Sequence, residues 1–370
     1  MNLKICHVTS VHPAKDGRIF SKQCCSLANA GYDVTIVAPN AEDRVLNGIK
    51  IRGVYLKSNS RIYRIFVFSK LIYKKALSID ANIYQIHDPE LLIIALKLKR
   101  QGKIVIFDSH EDVPGIIKSK FYIPKPFRLF ISYLYSIYEK YVLKRIDAAI
   151  SVTPAIVDRL ATICPKAVLV TNYPIIQNNT NLNSISRVER NVCFAGNIVS
   201  DYMHHNILKA LSKINNVTYF LIGEKTQYLE YLSGLEGWDK VRYYGKLPYD
   251  EVLKVYAKTS IGLAIHDYTP NAGYRHGSLG TIKIFEFMML GIPIVCTDFT
   301  LWRNIIDKEK CGIYVDPHNT DEISRAIKTL LDNPILASEM GKNGILAVER
   351  EYNWKSQEKV LLNLYKSFNL

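Results

Sequence analysis

Short apolar runs alternate with helical patterns along this chain of 370 residues, and the alternation occurs twice. The runs have the length of buried strands, roughly four to eight residues, and the apolar side chains between them recur with helical spacing. Residues 172–191 shift to Asn, Ser and Pro, and the alternation then begins again. Strands that alternate with helices form parallel sheets. The sequence therefore predicts an α/β chain of two Rossmann-like domains that face each other across a cleft.

The predicted elements set the domain boundaries. Strands are predicted at 4–9, 33–38, 51–56, 83–87, 104–109 and 148–152, and again at 192–194, 217–222, 241–244, 261–264, 292–297 and 311–315. We assign 1–172 to an N-terminal domain, 173–190 to a linker and 191–354 to a C-terminal domain. Ligands of such sheets bind beyond the carboxyl ends of the strands, so functional side chains are expected there.

The composition excludes several classes of protein. With 48% hydrophobic and 22% charged residues, the chain is neither disordered nor fibrous. No apolar run reaches the roughly eighteen residues that a membrane-spanning helix needs, and the first residues show no signal-peptide pattern. The seven cysteines include no C-x-x-C pair, so neither structural zinc nor a disulfide framework is predicted. These features predict a cytoplasmic protein.

The net charge of +14 is concentrated in the first half of the chain. Residues 1–150 hold 24 Lys and Arg against 12 Asp and Glu, and segment 44–79 holds nine basic residues and no acidic one. This segment and a second basic stretch, 118–128, adjoin aromatic and aliphatic side chains. Such segments suit an anionic membrane surface at the inner face of the cell membrane, although a solvated helix with a buried apolar stripe has the same pattern. No nucleic-acid partner is predicted, because no binding motif accompanies the charge.

One carboxylate interrupts an apolar helix predicted at 281–290. Glu286 lies between Phe285 and Phe287, where a carboxylate is costly unless something pairs with it. Two interpretations are open. Glu286 forms an ordinary i,i+3 pair with Lys283, or it binds a ligand hydroxyl, since a glycine-rich loop and a helix N-terminus form a natural anion site.

Several stretches together resemble the GT-B glycosyltransferases of the large retaining family 4. The stretches are HPAKDGRIFSKQCCSLANAGYDVTIVAP, QIHDPELL, IVIFDSHED, IDAAISVTPAIVDRL, GNIVSDYMHHNILKAL, RYYGKLPYDEV, SLGTIKIFEFMMLGIPIV and EYNWKSQEKVLLNLY. They span nearly the whole chain, and their order and spacing carry the resemblance. It implies that the second domain binds a nucleotide sugar and that the first binds the acceptor. It also implies that the C-terminal helix, 355–370, returns to the first domain.

The resemblance implies roles for residues of the donor half. Glu286 matches the second glutamate of the family's E-x7-E motif, which usually holds the ribose hydroxyls, and Ser278 replaces the first glutamate. Lys283 is placed for the diphosphate. The family often has an arginine and a lysine after the strand that ends at Gly196, where this chain has Asn197 and the pair His204 and His205.

Other groups would then share the binding of phosphate and base. The predicted phosphate contacts are Lys283, Arg275, Arg18 and the backbone N–H groups of Gly196 and Gly280. Lys246 and Leu247 resemble the loop that meets the nucleotide base through its backbone.

On the acceptor side, the resemblance implies a role for His110, which follows the predicted strand 104–109. It would donate a hydrogen bond to the donor sugar as positive charge develops at the anomeric carbon; the alternative is a loop histidine paired with Asp108 or Glu111. His87 and Asp88 are expected to shape the adjoining loop. Asp16 and Arg18 either line the cleft opposite the diphosphate or form a structural ion pair.

The resemblance implies a retaining transfer by same-face attack. The chain has no Asp-x-Asp triplet to hold a metal, so helix N-termini, loop amides and Lys283 are expected to neutralise the leaving diphosphate without one. The expected function is sugar transfer from a UDP-sugar, rather than a GDP-sugar, to a lipid-linked or saccharide acceptor in bacterial surface polysaccharide synthesis. A non-catalytic nucleotide-sugar or lipid-headgroup binding protein and a nucleotide-sugar epimerase are the alternatives.

Overall fold

The computed structural model of the chain describes residues 3–120, 122–176 and 190–368. They divide into two compact units. Unit 1 comprises the described residues of 1–172 together with those of 354–370, and unit 2 comprises the described residues of 173–353.

Unit 1 is built on one sheet of eight strands. In chain order they are β1 (Lys4–Val8), β2 (Asp33–Pro39), β3 (Arg44–Leu46), β4 (Ile49–Val54), β5 (Ile83–Ile86), β6 (Ile104–Ser109), β7 (Ala148–Ser151) and β8 (Ala167–Leu169). Their order across the sheet is β3-β4-β2-β1-β5-β6-β7-β8, and every neighbouring pair is parallel except β3 and β4.

Helices cover both faces of this sheet. They are α1 (Cys25–Asn29), α2 (Arg61–Tyr63), α3 (Ser69–Leu77), α4 (Leu92–Arg100), α5 (Val113–Ser119), α6 (Lys125–Leu143), α7 (Pro154–Ala161) and α15 (Trp354–Lys366). Two π-helical segments, Gly17–Cys24 and Arg64–Phe68, lead into α1 and α3. Successive β1 residues such as Ile5 and Cys6 pack into different apolar clusters, as a parallel sheet buried on both faces requires.

The C-terminal helix α15 belongs to unit 1. The indole of Trp354 donates a hydrogen bond of 2.9 Å to Ser26 Oγ, and the Tyr365 hydroxyl donates one of 2.5 Å to Gln85 Oε1. Leu361 and Tyr365 pack into the same apolar cluster as Ile5. The predicted return of this helix to the first half of the chain is thus confirmed.

Unit 2 is a second parallel sheet, of six strands. These are β9 (Asn191–Ala195), β10 (Thr218–Ile222), β11 (Val241–Gly245), β12 (Ile261–Ala264), β13 (Ile294–Thr297) and β14 (Gly312–Val315), in the order β11-β10-β9-β12-β13-β14. Its helices are α8 (His204–Leu211), α9 (Gln227–Leu232), α10 (Tyr249–Tyr256), α11 (Ile282–Met289), α12 (Thr300–Glu309), α13 (Thr320–Asp332) and α14 (Pro334–Arg350).

The predicted α/β class and the two parallel sheets are confirmed, and each predicted strand lies within two residues of an observed one. The sequence did not indicate β3 or β8, because each has three residues and neither buries a side chain. Of the predicted linker, 177–189 lies outside the described residues.

The basic segment 44–79 contains helix α3. Phe68, Ile72 and Ala76 follow one another at intervals of one helical turn and are buried, while Lys70 and Lys74 are exposed. The interpretation as a solvated helix with a buried apolar stripe therefore describes α3. Across the described ranges, every helix is too short or too polar to cross a membrane.

Candidate functional site

The carboxyl ends of three neighbouring strands bring polar side chains together in unit 1. His87 follows β5, His110 follows β6, and the loop after β1 leads to Asp16 and Arg18. Because β1, β5 and β6 are adjacent and parallel, these strand ends share one edge of the sheet. The structure thus brings His87, His110, Asp16 and Arg18, all predicted to lie on the acceptor side, to one edge of the sheet.

A buried carboxylate, Asp108 at the end of β6, organises this cluster. Its Oδ1 accepts a hydrogen bond of 2.8 Å from Arg18 Nη2, and its Oδ2 accepts one of 2.7 Å from Gln23 Nε2. Arg18 Nε and Gln85 Nε2 lie 3.2 and 3.3 Å from Oδ2. Burial alone raises the pKa of this carboxyl, but the Arg18 guanidinium and the nearby histidines hold it well below its usual range.

Arg18 is therefore the partner of a buried carboxylate. Its side chain is 5% exposed, and Nη1 donates a further hydrogen bond of 2.8 Å to the Val170 carbonyl. The ion-pair alternative describes Arg18, although its partner is Asp108 and not Asp16. Asp16 instead accepts the N–H groups of Arg18 and Ile19 and so caps the helix that begins there.

Histidine rings form a chain beside Asp108. His7 Nδ1 lies 2.9 Å from His87 Nε2, and His87 Nδ1 lies 3.3 Å from Asp108 Oδ2 and 3.4 Å from His110 Nε2. Asp108 accepts only, so we place a proton on His87 Nδ1, which leaves His87 Nε2 to accept from His7. Burial lowers the pKa of His110 to about 4, against the opposing effect of Asp108. His110 is thus neutral near pH 7.

The loop after β1 closes over this chain of rings. His12 stacks on His110 with ring centroids 4.9 Å apart and lies 3.5 Å from Asp88. Asp88 Oδ2 accepts hydrogen bonds from Thr9 Oγ1 at 2.8 Å and from the Ser10 backbone N–H at 2.6 Å. As expected for a shaping role, Asp88 holds the backbone of this loop in place.

His12, His87 and His110 line a cavity of about 320 Å³ within unit 1. His110 is 20% exposed there, whereas His87 is fully covered. Of these two histidines, His110 is therefore the more accessible to a ligand in the cavity.

His87, Asp108 and His110 also have the composition of a metal site, with one ligand atom from each lying within 4.8 Å of the others. However, Asp108 Oδ2 already faces Arg18, Gln23 and Gln85, and the guanidinium would lie beside any cation bound there. The donor set fits a carboxylate that orients histidines better than it fits a cation site.

In unit 2, several of the candidate donor-binding residues lie at or near the start of α11. The Lys283 ammonium lies 4.8 Å from the ring centroids of both Phe194 and Tyr202. Gly196 has φ +152, and a Cβ there would lie 2.7 Å from Lys283 Cε and Nζ. A side chain at this position would be strained by the backbone conformation and would displace the end of the Lys283 side chain.

The surroundings of Lys283 make it an unusual cation. Desolvation lowers its pKa to about 8, against the opposing effect of Glu286. Within the described part of the chain, no carboxylate oxygen lies within 4.0 Å of its ammonium nitrogen. The predicted i,i+3 neighbour Glu286 is 5% exposed, and burial together with the nearby Glu286 charge raises the pKa of Tyr249.

Two buried histidines near Lys283 have unsatisfied ring nitrogens. His204 Nε2 and His266 Nε2 are buried and lack hydrogen-bond partners among the described residues. Burial and the Lys283 charge lower the pKa of His204 to about 3 and that of His266 well below its usual range. The sequence analysis singled out His204 but not His266. The one sequence signal for His266 was its position directly after an apolar strand pattern.

The remaining donor-half residues are placed as follows. Ser278 Oγ accepts a hydrogen bond of 3.0 Å from the Gly280 N–H, and the Ser278 carbonyl accepts one from Trp302. Arg275 stacks on Tyr268 at 4.3 Å.

Three further donor-half residues lie after strands β9 and β11. Asn197 is exposed, and Leu247 packs against the core of unit 2. Lys246 is exposed and lies 3.4 Å from Glu224, so this pair contributes little to stability. None of these three residues holds a desolvated charge, as Lys283 does.

Family models match both halves of the chain. Residues 22–172 match the model described as Glycosyltransferase Family 4, and residues 179–346 match the model described as Glycosyl transferases group 1. The predicted resemblance is thus confirmed by two independent stretches that together cover most of the chain.

Individual relatives are more distant. A GDP-mannose-dependent monoacylated alpha-(1-6)-phosphatidylinositol monomannoside mannosyltransferase from Corynebacterium glutamicum is 26% identical over 127 residues, which are 34% of this chain and 32% of that protein. The match thus spans about a third of this curated relative. The solved sucrose-phosphate synthase of Thermosynechococcus elongatus has a TM-score of 0.77 at 16% identity, with 99% of each chain covered. Anabaena HepE, solved with UDP and glucose, has a TM-score of 0.72 at 11% identity, with 99% and 100% covered.

Proposed function

Because this chain belongs to the glycosyltransferases of the GT-B fold, we propose that it moves a sugar from a nucleotide-sugar donor to a lipid-linked or saccharide acceptor, with retention at the anomeric carbon. We place the donor on unit 2 and the acceptor on unit 1. The proposed setting is bacterial surface polysaccharide synthesis, in the cytoplasm at the inner face of the cell membrane.

The desolvated ammonium of Lys283 is the observation that carries this proposal. Among the described residues, the Lys283 ammonium in the first turn of α11 has no carboxylate within 4.0 Å. The nearby ring nitrogens His204 Nε2 and His266 Nε2 are buried and have no hydrogen-bond partner in the same part of the chain. A diphosphate there would supply the missing negative charge and accept from the helix N-terminal N–H groups. Glu286, one turn later, would hold the ribose hydroxyls.

The leaving diphosphate needs positive charge as the sugar–phosphate bond breaks. Lys283 and the N–H groups at Gly280 and Gly196 would provide it without a metal. Attack from the same face as the leaving group, assisted by the leaving phosphate, would give retention.

His110 would donate a hydrogen bond to the sugar while the anomeric carbon becomes positive. A neutral imidazole suits this step, since a second positive charge beside that carbon would oppose it. The Asp108–His87 pair would fix the orientation of His110, which is the role of a positioning group and not of a proton acceptor.

We propose UDP-sugars ahead of GDP-sugars as donors. Anabaena HepE was solved with UDP and glucose, whereas the Corynebacterium relative is named for GDP-mannose. Both nucleotides carry the diphosphate and ribose that the α11 site would bind, so the base contact near Lys246 and Leu247 would decide between them.

We also propose that unit 1 docks on an anionic membrane surface. Helix α6 exposes a stripe that includes Phe127, Phe130, Leu134 and Ile137 at helical spacing, and basic residues of 118–128 precede it. Lys125→Glu is expected to reduce co-sedimentation with phosphatidylglycerol vesicles several-fold, and Lys328→Glu on unit 2 is its control. Equal sedimentation of the two variants would contradict this docking.

The test of transfer is a panel of UDP- and GDP-sugars offered with bacterial lipid extract as acceptor source. We expect Glu286→Ala to raise the donor KM strongly. His110→Ala is expected to lower kcat by roughly a hundredfold or more with the fold intact, by analogy with the loss of one transition-state hydrogen-bond donor. Normal donor kinetics in both variants would refute the assignments, and release of an altered sugar without any acceptor would instead indicate an epimerase.

A further inference from the structure

The cavity beside His110 has a distinct chemical character. Its volume of about 320 Å³ is in the range of small-molecule sites. Val113, Ile116 and Ile117 of α5 line one part of the wall, and Arg61 and Lys120 also line it. One cavity thus joins apolar surface, the proposed catalytic histidine and cationic side chains.

The cations of this wall differ in how they are compensated. Arg64 Nε lies 2.8 Å from Glu90 Oε1, so its charge is matched within the wall. For Arg61 and Lys120, no carboxylate oxygen of the described residues lies within 4.0 Å of the charged nitrogens. The Lys120 ammonium lies 5.9 Å from the ring centroid of Tyr122.

The carboxylates of the wall equal its cations in number but lie close to other partners or face solvent. Glu90 is taken by Arg64, and Asp88 accepts from Thr9 and Ser10 and faces His12. Glu111 is the remaining acidic residue there, and it is exposed to solvent. With three cations and three carboxylates the wall has no formal net charge, but Arg61 and Lys120 have no carboxylate within 4.0 Å among the described residues and so remain able to hold an anion.

We infer that this cavity binds the acceptor through a phosphate group, which Arg61 and Lys120 hold while an acceptor hydroxyl lies beside His110. This inference rests on the proposed function, because it identifies the cavity as the acceptor site. The apolar α5 side chains favour a phosphate joined to a hydrocarbon chain, and a soluble sugar phosphate shares the same recognition chemistry.

The experiment measures binding to the whole chain by calorimetry, with three probes below their micellar concentrations. Octyl phosphate carries the anion and a chain, octyl glucoside carries the chain without the anion, and glucose 1-phosphate carries the anion without the chain. Arg61→Ala, Lys120→Ala and the double variant are compared with two controls on unit 1 that lie outside the cavity lining. These controls are Arg100→Ala and Lys140→Ala, at exposed positions.

We expect the wild type to prefer at least one phosphate probe to octyl glucoside. Each single variant should weaken phosphate binding by about tenfold, as for a lost charge-assisted hydrogen bond, and the controls should not change it. Stronger binding of octyl phosphate identifies a lipid-linked acceptor, and stronger binding of glucose 1-phosphate identifies a soluble one.

A parallel titration with UDP separates the two proposals. If the wild type and the Arg61 and Lys120 variants bind UDP equally but none binds a phosphate probe, the acceptor inference is wrong and the proposed function stands. Equal phosphate affinity in variants and controls would likewise overturn it. If no nucleotide or nucleotide sugar binds the wild type, the proposed function itself fails.

Discussion

Each unit has an ionised group at an edge of its sheet, and the two groups differ in whether neighbouring side chains balance their charge. In unit 1, the buried Asp108 is surrounded by Arg18, Gln23 and Gln85, so its charge is matched by the protein itself. In unit 2, the ammonium of Lys283 lies over aromatic rings, and within the described residues no carboxylate reaches it. The charge of Asp108 is thus balanced before any ligand binds, whereas the charge of Lys283 is open to an anionic ligand.

Removing Arg18 should have the largest effect on stability, because it removes the charge that balances the buried Asp108. Arg18→Met leaves Asp108 buried without its guanidinium partner, which typically costs about 3–5 kcal/mol of stability. Urea unfolding of the whole chain measures this loss. Lys50→Met, which breaks the partly exposed pair with Asp33, should cost at most about 1 kcal/mol. Similar losses in the two variants would show that Asp108 is not held as the geometry indicates.

Removing Lys283 should affect binding more than folding, because its site is incomplete. Lys283→Met removes a desolvated charge, so stability should stay level or rise. UDP affinity should fall by about tenfold to a hundredfold, as expected for hydrogen bonds to a charged group. Calorimetric titration measures the affinity, and Lys246→Met is the matched control with little effect. A large loss of stability without a loss of affinity would reverse the comparison.

The pH dependence of UDP affinity is a second test of the role of the Lys283 charge. The pKa of Lys283 is lowered to about 8, so the ligand-free protein loses this proton as the pH rises through 8. A diphosphate favours the protonated form, so affinity should fall between about pH 7.5 and 9.5. Lys283→Met should remove most of this decrease. An identical slope in both proteins would assign it to another group.

The smallest expected effect concerns the support of Glu286. Tyr249→Phe removes a hydroxyl near the Glu286 carboxylate, and the loss of this polar neighbour should cost about 0.5–1.5 kcal/mol. The donor KM should rise a few-fold, because the carboxylate is less firmly oriented. Tyr231→Phe alters an exposed tyrosine of unit 2 and should leave the KM unchanged. Equal KM values for both variants would show that Glu286 needs no such support.

The sequence alone determined the fold class, since the periodicity of apolar side chains is a local property. Twelve predicted strands lie within two residues of observed ones, and the last helix was assigned to the first half by resemblance. The sequence also singled out Glu286, as a carboxylate within an apolar helix, whereas His110 and the diphosphate role of Lys283 were indicated by the resemblance. Short β3 and β8 were missed, since three residues carry too little pattern.

Only the tertiary structure decided which polar groups face one another. Asp108 pairs with Arg18, ninety positions away, and the charge of Glu286 acts on Tyr249 of a different helix. The partners of a buried charge come from strands and helices that are neighbours in space and distant in sequence. The ionisation of a buried side chain depends on its burial and on its distances to other charged atoms, and neither is defined until the sheets have formed.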